Sequence, residues 1–281
     1  MKLFLIRHAE TEHNVKQARA GATDSSLTNH GVLQIQRLAQ YLRSRPVQFT
    51  RVFCSDLQRA RLTAEGICQQ QLGNYPLVPM QTSLLQEQHF GLLEGSRWKP
   101  RAATSAYTPN AAVPGISPSR IEEESEDSMR ARATSFLRDY ILPLLLGSSP
   151  KEEVVAVVAH GIILRVLWKC ITDLFHPSDI LISSEVETGV VPPGSPLIAV
   201  WSNTGFMELD IRPKPLTAPS GILPAPIATG SPFSGWQMLL LSVNNTSHLL
   251  DLRRTGGGIG SATHDQRQRT LDGFFRTTNA P

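Results

Sequence analysis

The N-terminal stretch Met1–Asn14, MKLFLIRHAETEHN, decides the fold. Leu3 to Ile6 is an unbroken apolar run, the pattern of a short strand buried on both faces of a parallel sheet. It stops at Arg7-His8, and the small and polar residues that follow cannot continue a buried strand. In open α/β sheets ligands bind just beyond the carboxyl ends of the strands, so a guanidinium and an imidazole stand where a substrate would. Taken alone, the dipeptide reads as two polar residues leaving a strand. A second strand that ends the same way changes that reading. Val154–Ala159, VVAVVA, runs into His160-Gly161 and then into an apolar helical stretch from Ile162 to Ile171. Two buried strands that each deliver a histidine at the carboxyl edge form a constellation.

Five stretches carry a resemblance. LIRHAETEHN (5–14), DSSLTNHGVLQIQRLAQYL (24–42), CSDLQRARLTAEGI (54–67), QEQHFGLLEG (86–95) and VVAHGIILRVL (157–167) resemble, in the same order, the motifs of the histidine phosphatase superfamily, the phosphoglycerate-mutase-like fold. Fainter similarity continues to about residue 260. The resemblance implies an α/β fold: a mostly parallel sheet with helices on both faces, in a single domain over residues 1–255. Ala9 departs from the family, which usually has glycine there; alanine is small enough for the turn to survive, slightly shifted.

Composition agrees with a globular, soluble protein. The chain has 281 residues, 41% hydrophobic and 18% charged, enough for one sizeable core. No apolar run approaches a membrane span, and Met1-Lys2 leads into the first strand rather than into a signal peptide. Cys54, Cys68 and Cys170 are too few and too scattered for a disulfide framework, so they read as small buried hydrophobes in a reducing compartment, cytoplasmic or nuclear. The net charge of +3 sits at the C-terminus, where residues 253–281 hold five arginines and two aspartates. The remainder is about neutral, which argues against a broad basic face for nucleic acid.

Along the chain, Thr28 is a candidate N-cap for a helix striped by Val32, Ile35, Leu38 and Leu42 and ended by Pro46. Arg51–Cys54 reads as a strand, followed by a helix striped by Leu57, Ala60, Ala64 and Ile67. Arg59 falls near the positive end of that helix, where a cation is unfavourable unless an anion binds beside it. It is therefore a candidate phosphate ligand, with a solvated arginine as the plain alternative. A further helix is expected over 128–146, kinked or ended by Pro143. Strands are expected at Leu197–Ser202, Phe206–Ile211 and Gln237–Val243, and irregular insertions at about 96–127 and 212–235. RRTGGGIGS (253–261) reads as a flexible exit into a tail over 256–281.

Phosphoryl transfer needs a nucleophile, neutralised equatorial oxygens and a protonated leaving group. The resemblance distributes those roles. His8 would attack phosphorus and form a phosphohistidine. Arg7 and Arg59 would hold the phosphoryl oxygens with planar, bidentate donors, and Asn14 would add a hydrogen bond. His160, as a cation, would stabilise the charge that builds on them. Glu87 would be the general acid; Glu10, Glu94 and Asp56 compete by residue type and are assigned structural roles. No metal and no other cofactor is called for. Phosphoglycerate mutases resemble one another in a basic segment with paired arginines after the Glu-bearing motif. Here Arg97, Lys99 and Arg101 are spaced apart, which favours a phosphatase acting on a small phosphorylated metabolite or a phosphoprotein. A mutase, or a binding module using the same pocket, is the alternative.

One further motif belongs to the tail. Gln268, Leu271, Phe274 and Phe275 have the spacing by which partners dock on the sliding clamp of DNA replication. Such a segment forms one turn of 3₁₀ helix when bound, and its apolar side chains make a plug beside the polar glutamine. Arg267, Arg269 and Arg276 would suit an acidic partner surface. A chance match, or burial of both phenylalanines against the domain itself, are the competing readings.

Overall fold

A computed structural model of the chain describes residues 1–71, 76–98, 122–147, 152–187, 199–215 and 233–265. Among these residues seven strands form one sheet: β1 (Lys2–Arg7), β2 (Arg51–Ser55), β3 (Met80–Thr82), β4 (Val154–Ala159), β5 (Ile180–Ile182), β6 (Phe206–Pro213) and β7 (Trp236–Asn245). Their order across the sheet is β3-β2-β4-β1-β6-β7-β5, and only β6 runs against the rest. β1 therefore lies at the centre, flanked by β4 and β6, which is why its apolar run is continuous. The parallel register pairs Arg7 with Ala159 and brings both strand-end histidines to one edge.

Among the described residues seven α-helices accompany the sheet: α1 (Glu12–Lys16), α2 (Asn29–Ser44), α3 (Gln58–Gln70), α4 (Glu126–Phe136), α5 (Leu142–Leu146), α6 (Gly161–Thr172) and α7 (Ser184–Glu187). Alternate β1 residues face opposite layers. Leu3 and Leu5 pack with Met129, Phe136 and Ile163 beneath α4 and α6, whereas Phe4 and Ile6 pack with Leu38, Leu42, Ala60 and Ile67 beneath α2 and α3. Cys54, Cys68 and Cys170 are buried thiols in these layers, and burial pushes the first two up to about 12. None of the described helices is long and apolar enough to cross a membrane.

The expected elements form with three differences. The 128–146 helix starts at Glu126 and passes through a π-helical segment at Leu137–Ile141 before α5. Pro143 lies in the first turn of α5, where its missing N–H costs nothing, so the extra residue is inserted ahead of it. The expected strand at 197–202 is not one: residues 199–205 form an irregular loop, and 197 and 198 lie outside the described residues. The third difference concerns the glycine-rich segment. Residues 253–265 do not leave the domain. Asn29 donates through its backbone N–H to Ala262 O (3.0 Å), His264 donates to Leu27 O (2.8 Å), and Asn29 Nδ2 donates to Ile259 O (2.9 Å). The glycines supply left-handed turns (φ +65° at Gly257, +80° at Gly258) rather than mobility. The tail motif at 268–275, and most of both expected insertions, lie outside the described residues.

α2 meets the loop after β1 closely. Thr28 caps α2 as expected, its hydroxyl accepting from Gly31 N at 3.0 Å. At Gly31 a Cβ would lie 2.2 Å from the carbonyl oxygen of Glu10. Alanine normally stabilises a helix relative to glycine by about 1 kcal/mol; here it must push the backbone of the loop that carries His8. Gly31→Ala should therefore destabilise the protein by about 1–3 kcal/mol and lower turnover. Chemical denaturation checks the sign, and a more stable variant would refute the close approach.

Candidate active site

The loop after β1 places His8 at 4% exposure, Arg59 at 1% and His160 at 0% in one buried cluster. The rings of His8 and His160 are 5.0 Å apart between centroids. His160 is the N-cap residue of α6 and follows β4, so strand and helix together fix its position. Ala9 keeps a negative φ, which is why alanine serves at a position where glycine is usual.

Hydrogen bonding sets the tautomer of each histidine. His8 Nδ1 lies 2.7 Å from Ala9 O. A carbonyl only accepts, so Nδ1 carries the proton and Nε2 keeps a lone pair. Arg59 Nε lies 3.1 Å from His160 Nδ1. A guanidinium only donates, so His160 accepts through Nδ1 and its proton is on Nε2. Burial, and then the neighbouring Arg59, hold both imidazoles well below their ordinary value. The cationic His160 expected from the sequence is thus a neutral ring that offers an N–H. The physical reason is that a buried arginine already supplies the positive charge and occupies the other nitrogen.

Arg59, the second residue of α3, spends its donors on the protein. Nη1 donates to Thr23 O (2.8 Å) and Nη2 to Gly21 O (2.6 Å), in addition to His160. Two of its five N–H groups remain for a ligand. Burial lowers its pKa to about 10, against the pull of Glu87, Asp24 and Glu94, so it stays cationic at neutral pH. Arg7 is braced by Nη1 donating to Trp201 O (2.8 Å). Its buried Nε and the Nε2 of His160 have no partner among the described residues. Together with the two remaining N–H groups of Arg59, they are donors that an anion in this cluster could use.

Glu87 reaches the same place from the loop after β3. Its Oε2 accepts from Ile162 N (3.1 Å), and its Oε1 from Ile163 N and Gln88 N (both 3.0 Å). The carboxyl thus lies on the N-terminus of α6, where backbone N–H groups need acceptors. Arg7 Nε (3.8 Å) and Glu87 Oε2 (4.0 Å) both lie near the point that a Cβ of Gly161 would occupy. Asn14 stands nearby, its Oδ1 accepting from Thr11 N (3.0 Å) and Asn203 Nδ2 (3.1 Å), which leaves its amide N–H groups as the available donors.

The three competing carboxylates are structural. Asp56 accepts from Gln86 Nε2 (2.8 Å). Glu94 accepts from Ala22 N (2.9 Å) and Thr23 N (3.1 Å), and so shapes the loop whose carbonyls hold Arg59. Glu10 forms a two-pronged ion pair with Arg254. Sequence reading missed four supports. Trp201 and Asn203 brace Arg7 and the carbonyl of His8 (3.0 Å). Thr204, buried at φ +57°, donates its N–H to Arg7 O at 3.1 Å; a β-branched residue there is a strained backbone held by its surroundings. Arg132 of α4 donates to Leu84 O and Gln86 O (both 2.9 Å), which orients the segment carrying Glu87. A lone arginine on an amphipathic helix gives no signal of that kind.

Comparisons with known proteins agree with this geometry. The sequence profile of the histidine phosphatase superfamily (branch 1) matches residues 3–179. The chain belongs to that superfamily. A probable phosphatase of Schizosaccharomyces pombe is 30% identical over 278 residues, covering 98% of this chain and 80% of that one. A broad-specificity phosphatase of Saccharomyces cerevisiae is 33% identical over 168 residues, 59% of this chain and 68% of the relative. A 2,3-bisphosphoglycerate-dependent phosphoglycerate mutase of Bartonella quintana is 29% identical over 195 residues, 67% and 88% of the two chains. The solved structure of a mycobacterial hydrolase shares the fold, with a TM-score of 0.56 and 21% identity over 87% of this chain and 98% of that one. This superfamily member is an enzyme of the phosphatase type.

The neutral histidines make ligand-free stability depend on pH. Folded His8 and His160 resist protonation that the unfolded chain accepts at about pH 6.5. The unfolded state therefore binds more protons below that pH, and the stability present above it is lost as pH falls. Each buried ring contributes a slope of up to about 1.4 kcal/mol per pH unit. The buried His248, lowered to about 4 by desolvation, extends the loss. Melting temperature should drop from pH 7 to pH 5, and less steeply in His8→Asn. Equal slopes in the two proteins would show that His8 is not held neutral.

Proposed function

We propose that the chain is a metal-independent phosphomonoester hydrolase acting through a phosphohistidine on His8. The supporting observation is the locked tautomer of His8: with Nδ1–H committed to Ala9 O, the nucleophilic lone pair is on Nε2, in a cluster where Arg7 Nε and His160 Nε2 are unspent donors. Nε2 of His8 attacks phosphorus, the bond to the ester oxygen breaks, and the leaving alkoxide takes a proton from Glu87. The Glu87 carboxylate then takes a proton from water, whose oxygen attacks phosphorus and releases inorganic phosphate and neutral His8. Arg7, Arg59, Asn14 and the N–H of His160 hold the phosphoryl oxygens, more tightly as charge builds on them. Hydrolysis is favoured over mutase chemistry by the segment after Glu87. Within its described part, Arg97 pairs through its backbone with Ala18, and Trp98 stacks under Arg19 at 4.7 Å, so this segment serves as scaffold. The names of the two yeast relatives also support hydrolysis.

The test uses purified protein with chelator present and two classes of ester. His8→Ala should abolish hydrolysis, and wild type quenched during turnover should carry acid-labile phosphate on His8. Glu87→Gln should slow alkyl phosphates by about 100-fold or more while aryl phosphates, whose leaving groups need little protonation, lose about tenfold or less. Full activity of His8→Ala ends the mechanism. Equal losses on both esters would make Glu87 a cap of α6 and no more.

The tail motif adds a tether to this reading. Gln268, Leu271, Phe274 and Phe275 match the sliding-clamp docking pattern, and they follow the last described residue, Asp265, within a short reach of chain. The enzyme would then act in the nucleus, held near DNA without touching it. Full-length protein should bind the clamp with a Kd of about 10 μM or tighter. Phe274→Ala with Phe275→Ala should remove binding and leave hydrolysis intact. No heat of binding by titration calorimetry at high micromolar protein would sink the tether without touching the catalytic reading.

A further inference from the structure

We infer that Arg254 is a positioning residue for the nucleophile, acting through Glu10 on the loop that carries His8. The inference rests on the phosphohistidine reading of His8. Glu10 is two residues beyond His8, and its side chain is only 11% exposed. Its Oε1 accepts from Arg254 Nη1 (2.7 Å) and from Thr28 Oγ1 (2.8 Å), and its Oε2 accepts from Arg254 Nη2. Burial alone would raise the Glu10 carboxyl; its bonds to Arg254 and Thr28 outweigh that and hold it below the usual carboxylate range. A carboxylate this enclosed needs such a partner, because unpaired burial of the charge is costly.

The path from this ion pair to the chemistry is one peptide plane long. The carbonyl that accepts from His8 Nδ1 belongs to Ala9, and it lies in the rigid plane that ends at the Cα of Glu10. The same plane carries the N–H of Glu10, which donates to Gln34 Oε1 at 2.9 Å. Turning the Glu10 side chain out of its place therefore tilts the acceptor that aims the His8 ring and fixes its proton on Nδ1. Thr28 alone, a neutral hydroxyl, cannot supply the charge.

Arg254 is itself built into place. Residues 254–264 fold back onto the start of α2 through Asn29 and Leu27, and Thr263 bridges to Thr28. Gly260 is buried against the arginine stem: a Cβ there would lie 2.5 Å from Arg254 Cγ and 2.8 Å from Thr255 O. Nη1 also donates to Ser261 Oγ at 3.2 Å. An arginine held on both sides and forked onto one carboxylate has the geometry of a brace.

The experiment compares full-length wild type with Arg254→Gln, Arg254→Lys, Glu10→Gln and the Glu10→Gln/Arg254→Gln double variant. Rapid quench with an aryl phosphate gives the rate of His8 phosphorylation per folded enzyme, inorganic phosphate titration gives ground-state binding, and melting temperature reports folding. In Arg254→Gln, phosphorylation should slow by about 10- to 100-fold, as expected for a slightly misplaced nucleophile, with phosphate affinity within twofold of wild type. Lysine, which cannot fork onto both oxygens, should fall in between. The double variant should be no slower than the slower single one, because both act through one contact. A lower melting temperature with an unchanged phosphorylation rate would overturn the proposal and leave a purely structural ion pair; so would rate losses that multiply in the double variant. Absence of any phosphohistidine in wild type would instead overturn the reading of His8, and the proposal with it.

Discussion

The site depends on a buried arginine with its charge intact. Arg59 is among the largest fully buried side chains of the protein, and a guanidinium in such a place must find acceptors for its N–H groups. It finds the carbonyls of Gly21 and Thr23 and the Nδ1 of His160, which belong to two separate parts of the chain. Those bonds do more than satisfy the arginine. They fix the proton of His160 on Nε2 and leave a positive charge in a low-dielectric space, where its pull on a phosphoryl group is strongest. Its neighbour Arg7, itself lowered by burial, adds to that field. The two histidines stay neutral first because they are buried and then because the arginines are beside them. One consequence is that nucleophilic and donating roles divide between identical residues: His8 keeps an Nε2 lone pair, and His160 presents an Nε2 proton.

The carbonyls that hold Arg59 must themselves be held, and this constraint spreads outward. Glu94 gathers the N–H groups of Ala22 and Thr23, and backbone bonds tie Gly95 N to Arg19 O (2.8 Å) and Trp98 N to Gln17 O (2.7 Å). The segment that continues from the proposed acid Glu87 is thereby the same one that shapes the cage of Arg59. Arg132 fastens its other end from α4, paired with Glu124 at 2.8 Å. A carboxylate that competes with Glu87 by residue type thus proves to be part of its mounting. Rigid mounting of this kind is what a neutral nucleophile needs, since its only advantage over a solvated imidazole is orientation.

Much of this was legible in the sequence, and the reason is local. A buried parallel strand writes itself as a continuous apolar run, and its end is marked by the first polar residue. The positions of Arg7, His8 and His160 at strand ends were readable on that ground, and Thr28 and the stripe of α2 from capping and helical spacing. Arg59, an arginine at the wrong end of a helix dipole, was open to two readings, anion ligand or solvated cation, and the fold buries it. The supports were not legible, because their roles come from residues far away in sequence. The stretch around Trp201 looked like a strand by its apolar content; Trp201 is indeed buried, but it donates its indole N–H to Leu5 O at 3.1 Å and its carbonyl accepts from Arg7. The protonation of His160 depended on which atom of Arg59 it met, which no pattern of spacing encodes. The glycines of 256–258 suggested freedom because glycine allows it. Here the same allowance permits the tight turns that seat Arg254.

The placement of that seat has a mechanical implication. Residues 254–264 run along the N-terminus of α2, and the described chain ends at Asp265, one residue beyond His264, whose N–H is tied to Leu27 O. Any force on the chain after Asp265 is applied first to this strap. The strap yields or holds through a handful of surface hydrogen bonds to Leu27, Thr28 and Asn29, each worth about 1 kcal/mol, whereas the strands beneath share a continuous apolar core. Local opening takes the weakest path, so the strap would loosen well before the sheet. Arg254 lies at its inner end, so Glu10 keeps its partner until the bonds at Leu27, Thr28 and Asn29 have opened. The strap thus meets the nucleophile loop at Glu10 by two routes, directly through Arg254 and by way of Thr28, whose hydroxyl donates to Glu10 Oε1.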